Sequence, residues 1–140
     1  MATYNKFNAF VADLANKVHN FGSDTFKIML TNTAPTAANA VKADITEISS
    51  GNGYSTGGAS LTLTSSSQSG GTYSYKATAA NPTWTASGNM ATFRYVVLYN
   101  STAASGNLIA WWDNGSGVSL TTGQTFTVTL DGTNGVFQIA

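Results

Sequence analysis

The hydrophobic and polar positions along this chain follow two different periods, and the period changes near Thr25. Before that point, large apolar residues recur every three or four positions, which predicts an amphipathic helix over about residues 5–20. Its apolar stripe consists of Phe7, Phe10, Val11, Leu14, Ala15 and Val18. Thr3 or Asn5 is expected to cap its start. A stripe of this kind needs a sheet to lie on.

The most hydrophobic part of the sequence lies in its second half, in two runs of residues separated by a short polar loop. Phe93–Tyr99 is almost entirely aromatic or β-branched, and Leu108–Trp112 repeats that character after the loop at residues 100–107. Continuous apolar runs of this length are typical of strands that are covered on both faces. We therefore predict a central β-hairpin, on which Trp111 and Trp112 point to opposite sides.

Shorter segments with a period of two predict the remaining strands. They lie around residues 26–30, 61–63, 73–75, 83–85, 118–120, 125–130 and 136–139. Residues 44–48 are either a short strand or a helical turn, and the glycine-rich residues 51–58 are expected to form a surface loop. Residues 61–63 and 73–75 are expected to form a second hairpin, and residues 125–130 and 136–139 a last tight one. About eight strands with frequent turns predict a single domain, 1–140, with an antiparallel β-sandwich or jelly-roll fold and one N-terminal helix.

Composition narrows the possible partners. Charged residues make up only 9% of the chain, and six basic side chains balance six acidic ones. Because the basic residues are not clustered, no direct contact with nucleic acid is expected. The absence of cysteine excludes a disulfide framework or a thiolate site. Without a signal-peptide pattern or an apolar run of about 18 residues, we expect a protein that is made in the cytoplasm and does not enter a membrane.

Few residues offer reactive chemistry. Asp44 and Glu47 are the only close acidic pair, and a solvated turn explains them better than an acid–base site. His19 is the single histidine, and its place at the predicted helix end favours a structural role over a catalytic triad. The loops at Asp113 and Asp131 resemble calcium loops only superficially, and turn formation explains them better. We expect no enzyme, no metal and no cofactor.

The remaining functional signal is surface recognition. Aromatic side chains and arginine are enriched at protein interfaces and on sugar-binding faces. The candidate interface residues are Tyr54, Tyr73, Tyr75, Trp84, Arg94 and Trp111. For Trp111 a core position is favoured over an interface, and the shared face of Tyr73 and Tyr75 is equally compatible with contact or with sheet packing.

Several segments together resemble a family of small virion proteins from tailed bacteriophages and prophages. These segments are residues 14–20, 22–35, 41–48 and 51–54, together with 113–117, 123–128 and 134–136 near the end of the chain. The resemblance covers most of the chain, and its motifs are turns, core strands and one helix. It implies a structural protein of the phage particle, similar to jelly-roll decoration, or cement, proteins that bind the outside of the head.

A decoration protein of this kind would bind the major capsid protein, stabilise contacts between capsomers and associate with itself as a dimer or trimer. No residue matches an established capsid-contact motif, so the resemblance assigns no site residues. The alternative is a tail-fibre or head-fibre module that recognises a host glycan or surface protein. A third reading is an enzyme that acts on cell-wall sugar, which would need distant carboxylates such as Asp44 and Asp113 in one cleft.

Overall fold

Antiparallel strands make up most of the regular structure. The computed structural model describes residues 2–62, 64, 66–77 and 80–140 of the chain. The strands are β1 (Thr3–Lys6), β2 (Phe26–Thr31), β3 (Ala59–Ser60), β4 (Ser67–Ser69), β5 (Thr72–Tyr75), β6 (Thr83–Thr85), β7 (Phe93–Asn100), β8 (Leu108–Val118), β9 (Thr125–Thr127) and β10 (Phe137–Ile139). The described residues also contain one α-helix, α1 (Ala9–Ala15), and one 3₁₀ turn at Lys42–Asp44.

The two densest apolar runs form the centre of the largest sheet. This sheet has the order β1-β8-β7-β2-β3, and all of its pairs are antiparallel. Val96 pairs with Trp112 and Val97 with Trp111 along the β7–β8 hairpin, and β2 covers the other edge of β7. The predicted central hairpin is confirmed. Its residues are buried on both faces, with Val96 and Leu98 on one side and Val97 and Tyr99 on the other, as continuous apolar runs require.

One face of this sheet, the inner face, packs against a second layer. That layer consists of a three-stranded sheet, β10-β5-β4, and a separate two-stranded sheet, β6-β9. The core between the layers includes Ile28, Leu30, Val96, Leu98 and Ala110 from the large sheet and Tyr75, Trp84 and Phe137 from the second layer. The predicted fold class is confirmed, because the described chain is mainly β, sandwich-like and antiparallel, with one helix near its N-terminus.

The opposite face, the outer face, carries a smaller apolar cluster. Its buried members are Phe7, Met29, Val97, Tyr99 and Leu108. Trp111 packs against this cluster, whereas Trp112 packs against the core between the layers. The prediction that the two tryptophans point to opposite sides of the hairpin is therefore confirmed.

The helix is shorter than the prediction of residues 5–20. Residues 3–6 form β1 and pair with β8, so neither Thr3 nor Asn5 can cap a helix. The helix ends before Lys17, whose φ of 60° is incompatible with a right-handed helix. Val11 belongs to the predicted stripe, yet 54% of it is exposed. The open edge of β8 takes up residues 3–6 as a strand, and Tyr4 packs its ring on Trp112, which a helix beginning at residue 5 would not allow.

Two predicted hairpins pair differently in the structure. The partner of β5 is β4, joined to it through Gly70 and Gly71, and part of the proposed first strand, Leu63, lies outside the described residues. The strands β9 and β10 do not pair with each other, because β9 pairs with β6 and β10 pairs with β5. Alternation identifies a strand but does not identify its neighbour.

Among the described residues, no helix is long and apolar enough to cross a bilayer.

Candidate functional site

Three of the six candidate interface residues lie inside the protein. The exposed fractions of Tyr54, Tyr75 and Trp84 are 3%, 1% and 5%. Trp84 is the central residue of β6 and faces inward between two exposed threonines, and Tyr75 stacks on Phe137 with ring centroids 5.2 Å apart. Their side chains are core residues of this domain, so the prediction that they form a contact surface is corrected.

The other three candidates are half-buried and occupy two different layers. Tyr73 lies on β5 in the second layer, where its ring is 6.2 Å from that of Phe21. Arg94 and Trp111 both belong to the central hairpin of the large sheet. The structure therefore brings together only two of the six predicted residues, on the sheet face that the second layer leaves uncovered.

A bulge in the hairpin builds the most prominent feature of this outer face. Phe93 pairs with Val118 and Tyr95 pairs with Asp113, so residues 114–117 stand opposite Arg94 alone. Such a bulge redirects side chains and interrupts the ladder. The sequence indicated a turn at residues 113–117, and the structure incorporates that turn into β8.

Arg94, which lies in this bulge, forms a bidentate ion pair with Asp113. Arg94 Nε donates to Asp113 Oδ1 at 2.7 Å, and Arg94 Nη2 donates to Asp113 Oδ2 at 2.8 Å. The guanidinium carbon also lies 5.3 Å from the centre of the Tyr95 ring. The Arg94 hydrogen bonds, together with one from the Gly115 N–H, lower the pKa of Asp113, and the same pair raises the pKa of Arg94.

Trp111 extends this feature along the sheet. Register places Trp111 opposite Val97 and Asp113 opposite Tyr95, so the side chains of Trp111, Asp113 and Tyr95 share the outer face. The Trp111 ring rests on that of Phe7, with centroids 4.5 Å apart, and remains half-buried. We call Arg94, Tyr95, Trp111 and Asp113 the outer patch. It presents two aromatic rings and one neutralised ion pair on a rigid hairpin.

The close acidic pair does not form an acid–base site. Asp44 Oδ2 accepts hydrogen bonds from the backbone N–H groups of Ala40 and Val41, which lower the pKa of Asp44. Glu47 belongs instead to a separate hydrogen-bond network, in which its Oε1 accepts a hydrogen bond from the Tyr54 hydroxyl at 2.6 Å. The two carboxylates thus stabilise different loops. Asp44 lies exposed in a turn, whereas the Glu47 side chain is largely buried, so the solvated turn predicted for the pair is corrected for Glu47.

The network around Glu47 ties the glycine-rich loop to the sheet. Glu47 Oε1 also accepts from the Gly57 N–H, and Glu47 Oε2 lies 3.3 Å from Lys42 Nζ. The Tyr99 hydroxyl donates to the Gly57 carbonyl oxygen at 2.8 Å. These bonds hold a loop that the sequence indicated only as a surface turn, and they occupy the one glutamate of the chain.

The single histidine lies in a buried polar cluster that sequence reasoning missed. His19 has a fully buried side chain, and Asn100 Nδ2 donates to its Nδ1 at 3.2 Å. Its Nε2 lies 3.9 Å from Asp13 Oδ2, and Asn100 also donates to Asp24 Oδ2 at 2.7 Å. Burial lowers the pKa of His19, while Asp13 and Asp24 act in the opposite direction. The helix ends at Ala15, so the predicted place of His19 at the helix end is corrected, and its ring packs inside the protein instead.

The two loops with aspartate at their start use it for turn formation. Asp131 Oδ1 accepts from the N–H groups of Thr133 and Asn134, and Asp113 Oδ1 accepts from the Gly115 N–H. These are the local side-chain to backbone bonds that favour aspartate in turns. Within the residues that the structure describes, no three metal-binding side chains come together.

The N-terminal strand is a further exposed feature that the sequence pattern did not indicate. β1 pairs with β8 on one side, and none of the described strands pairs with it on the other. Tyr4 is 43% exposed, and its ring contacts Trp112 with centroids 5.6 Å apart. An unprotected edge of this kind is a template for a further strand. A short polar strand gives too weak an alternation to be recognised before its partner is known.

Comparison with known proteins gave no relative. No family model, curated protein or solved structure matches this chain.

Proposed function

We propose that the protein is a structural component of a tailed-phage particle, a decoration or cement protein that binds the major capsid protein on the outside of the head. Bound there, it would stabilise the contacts between capsomers, alone or as a dimer or trimer. The observation that supports this role best is the position of the outer patch on the large sheet. The patch lies on β7 and β8, and β8 is the neighbour of β1, whose other edge is open. Both features suit rigid docking to a repeated surface.

The edge of β1 has backbone groups directed away from the sheet. The Phe7 N–H donates to the Ile109 carbonyl oxygen at 3.2 Å, which marks this pair as a hydrogen-bonded one. Because such pairs alternate along an antiparallel ladder, Tyr4 and Lys6 direct their N–H and C=O groups outward. A strand of the capsid protein can extend the sheet there through main-chain hydrogen bonds.

The outer patch supplies side chains of the kind that dominate binding energy. Tryptophan, tyrosine and arginine are enriched among interface hot spots, and a small number of them usually carries most of the affinity. Arg94 is already paired with Asp113, so a partner that covers the patch buries no unpaired charge. With equal numbers of basic and acidic residues in the chain, we expect binding to depend little on salt.

The hydrogen bonds of the acidic residues also support a binding role over an enzymatic one. Each of the six carboxylates accepts a hydrogen bond from another group of the chain. The two carboxylates of the cell-wall hydrolase hypothesis are among them, since Asp44 caps a turn and Asp113 pairs with Arg94. A glycosidase needs two carboxylates on either side of one cleft, whereas these two carboxylates each hold a turn or an ion pair of the scaffold.

The test is binding to purified heads of the phage or prophage that encodes the chain. Averaged electron micrographs should show density of about 15 kDa per copy, repeated over the shell, consistent with the chain mass of 14.5 kDa. Replacing Tyr95 with alanine should reduce occupancy about tenfold or more, because it removes a patch side chain. The matched control is Tyr73→Ala, another half-buried tyrosine in the second layer, which should bind as the unaltered protein does.

Three results would contradict this proposal. They are the absence of binding to heads, a steep loss of occupancy between low and high salt, and equal losses in the two tyrosine variants.

A second candidate function is a tail-fibre or head-fibre module that recognises a host glycan or surface protein. The observation that favours it is the proximity of Tyr95 to the Arg94–Asp113 pair, because aromatic rings stack on sugars and charged pairs bind hydroxyl groups. The position of the protein on the phage particle distinguishes the two proposed functions. Many copies over the head indicate a decoration protein, whereas a few copies at the tail or a vertex, with host-cell binding lost in Tyr95→Ala, indicate the recognition module.

A further inference from the structure

A partly open cavity of about 290 Å³ lies against the inner face of the large sheet, on the side opposite the outer patch. It is bounded by the inner face of the large sheet and by the chain segment that runs from Phe126 to Val136. Ile28 and Val96 form part of its lining and are 0% and 5% exposed, so they lie at its floor. The rest of the lining is half-buried or exposed, so the cavity opens to solvent on one side.

The cavity exists because the second layer is divided. β9 pairs with β6 and β10 pairs with β5, so the chain between β9 and β10 crosses the inner face without joining a ladder. Continuous pairing between these two strands would have brought them to the normal spacing of about 5 Å and closed the gap.

The wall formed by this segment is held at several points. The Val128 N–H donates to the Pro82 carbonyl oxygen and the Leu130 N–H donates to Asn81 Oδ1, each at 2.9 Å. At the other end, the Val136 N–H donates to the Tyr75 carbonyl oxygen at 2.8 Å. These bonds hold the wall away from the floor, so the cavity is formed before any ligand arrives.

The lining is apolar inside and polar at the rim. Side chains along the wall alternate, so that three half-buried apolar residues face inward between exposed polar ones. The apolar lining consists of Ile28, Val96, Trp112, Phe126, Val128, Leu130 and Val136. Asn114 and Asp131 also line the cavity and are exposed, which places them at its mouth. Two aromatic rings within an aliphatic lining are typical of small-molecule pockets.

We propose that this cavity binds a small, uncharged aromatic molecule with two fused rings. An apolar cavity of about 150 Å³ holds benzene, and the present cavity is about 290 Å³, which leaves room for a second ring. Asp131 accepts three hydrogen bonds from its own loop and keeps its charge at the mouth, where the charge of Lys76 acts on it. The apolar lining then disfavours a charged ligand, because a charge buried there would have no partner. Binding at this site does not depend on the proposed role in a phage particle.

The test uses naphthalene as the probe and the full chain, observed by methyl and amide NMR. Saturable shifts are expected at Ile28, Val96 and Val128, which line the cavity. Met29 and Val97 lie on the outer face of the same two strands and should not shift. No saturable shift, or equal shifts on both faces, would overturn the proposal. Equal affinity for a naphthalene sulfonate anion would overturn the assignment to uncharged ligands.

Variants that fill the cavity complete the test. Val128→Phe should weaken naphthalene binding about tenfold or more while the protein stays folded, because the new ring occupies the ligand's space. Val11→Phe is the matched control, since Val11 is 54% exposed on α1 and distant from the cavity lining. Val136→Phe fills the cavity from the other end of the wall and replaces Val128→Phe if that variant does not fold. Undiminished binding in a folded filling variant, or equal weakening in the control, would refute the site.

Discussion

The hydroxyl group of Tyr54 joins two parts of the fold and provides a sharp test of buried hydrogen bonding. It donates to Glu47 Oε1 at 2.6 Å and accepts from the Leu30 N–H at 3.1 Å. Only 3% of Tyr54 is exposed, and burial followed by the bond to Glu47 raises its pKa, so the hydroxyl stays protonated. Replacing Tyr54 with phenylalanine keeps the ring and removes only this oxygen.

The expected loss of stability follows from the two partners. A buried donor left without a partner costs roughly 1–3 kcal/mol, and a hydrogen bond to a charged group is worth about 1.5–3 kcal/mol. Because Gly57 and Lys42 continue to hold Glu47, we take values near the lower ends of both ranges. The free energy of unfolding should fall by about 3 kcal/mol.

Urea denaturation followed by circular dichroism measures this loss. With a slope of about 1–3 kcal/mol per molar urea, the midpoint should fall by about 1–3 M. The matched control is Tyr4→Phe, since Tyr4 is 43% exposed on β1, and its cost should stay below about 0.5 kcal/mol. A loss under about 1 kcal/mol for Tyr54→Phe, or equal losses in the two variants, would refute the reasoning.

Three further predictions concern the backbone and the ionisable groups. Gly58→Ala should destabilise the protein by about 3 kcal/mol or more in urea denaturation, because Gly58 has a φ of +68° and a Cβ there would lie 1.9 Å from a carbonyl oxygen of β2. The control is Gly70→Ala, which should cost only about 1 kcal/mol, because Gly70 has a φ of +57° but open space around it. Equal costs for the two variants would contradict the steric clash inferred at Gly58. Burial lowers the pKa of His19, so the free energy of unfolding should be highest above the unfolded-state pKa of 6.5 and should decline as the pH falls below 6.5. The variant His19→Gln should lack this decline in urea denaturation at several pH values. An identical pH profile in the two proteins would show that His19 does not cause the decline. Arg94→Gln should raise the pKa of Asp113 toward its ordinary value, as measured by NMR titration of the carboxyl carbon, and an unchanged pKa would show that Arg94 does not hold it low.

Local pattern alone determined the centre of this fold. The runs Phe93–Tyr99 and Leu108–Trp112 could be recognised as a buried hairpin because nearly every side chain in them is apolar, whichever face it occupies. The opposite orientations of Trp111 and Trp112 followed from the strand period of two. The turn-forming role of Asp131 could also be expected, because its hydrogen bonds reach only two or three residues along the chain.

The candidate site could be predicted only in part. Tyr75 and Trp84 have the side chains of an interface, and only the position of the second layer shows that they fill the core. Arg94 was recognised by type, but its partner Asp113 lies 19 positions away, across a bulge that composition does not indicate. Asn100 and His19 are 81 positions apart and meet only in the folded chain.

Strand partners and the ends of elements were decided by the tertiary structure. The alternation at Thr125–Leu130 is equally strong whether its partner is β10 or β6, and the pairing with β6 both separates the last two strands and leaves the cavity. Residues Thr3–Lys6 could have continued the helix, yet they pair with the free edge of β8, and Tyr4 packs its ring on Trp112. The sequence alone determined which residues are buried in the central hairpin, since burial follows from side-chain type and local period. The neighbours of each strand depended on contacts between residues far apart in the chain, and no local period encodes these contacts.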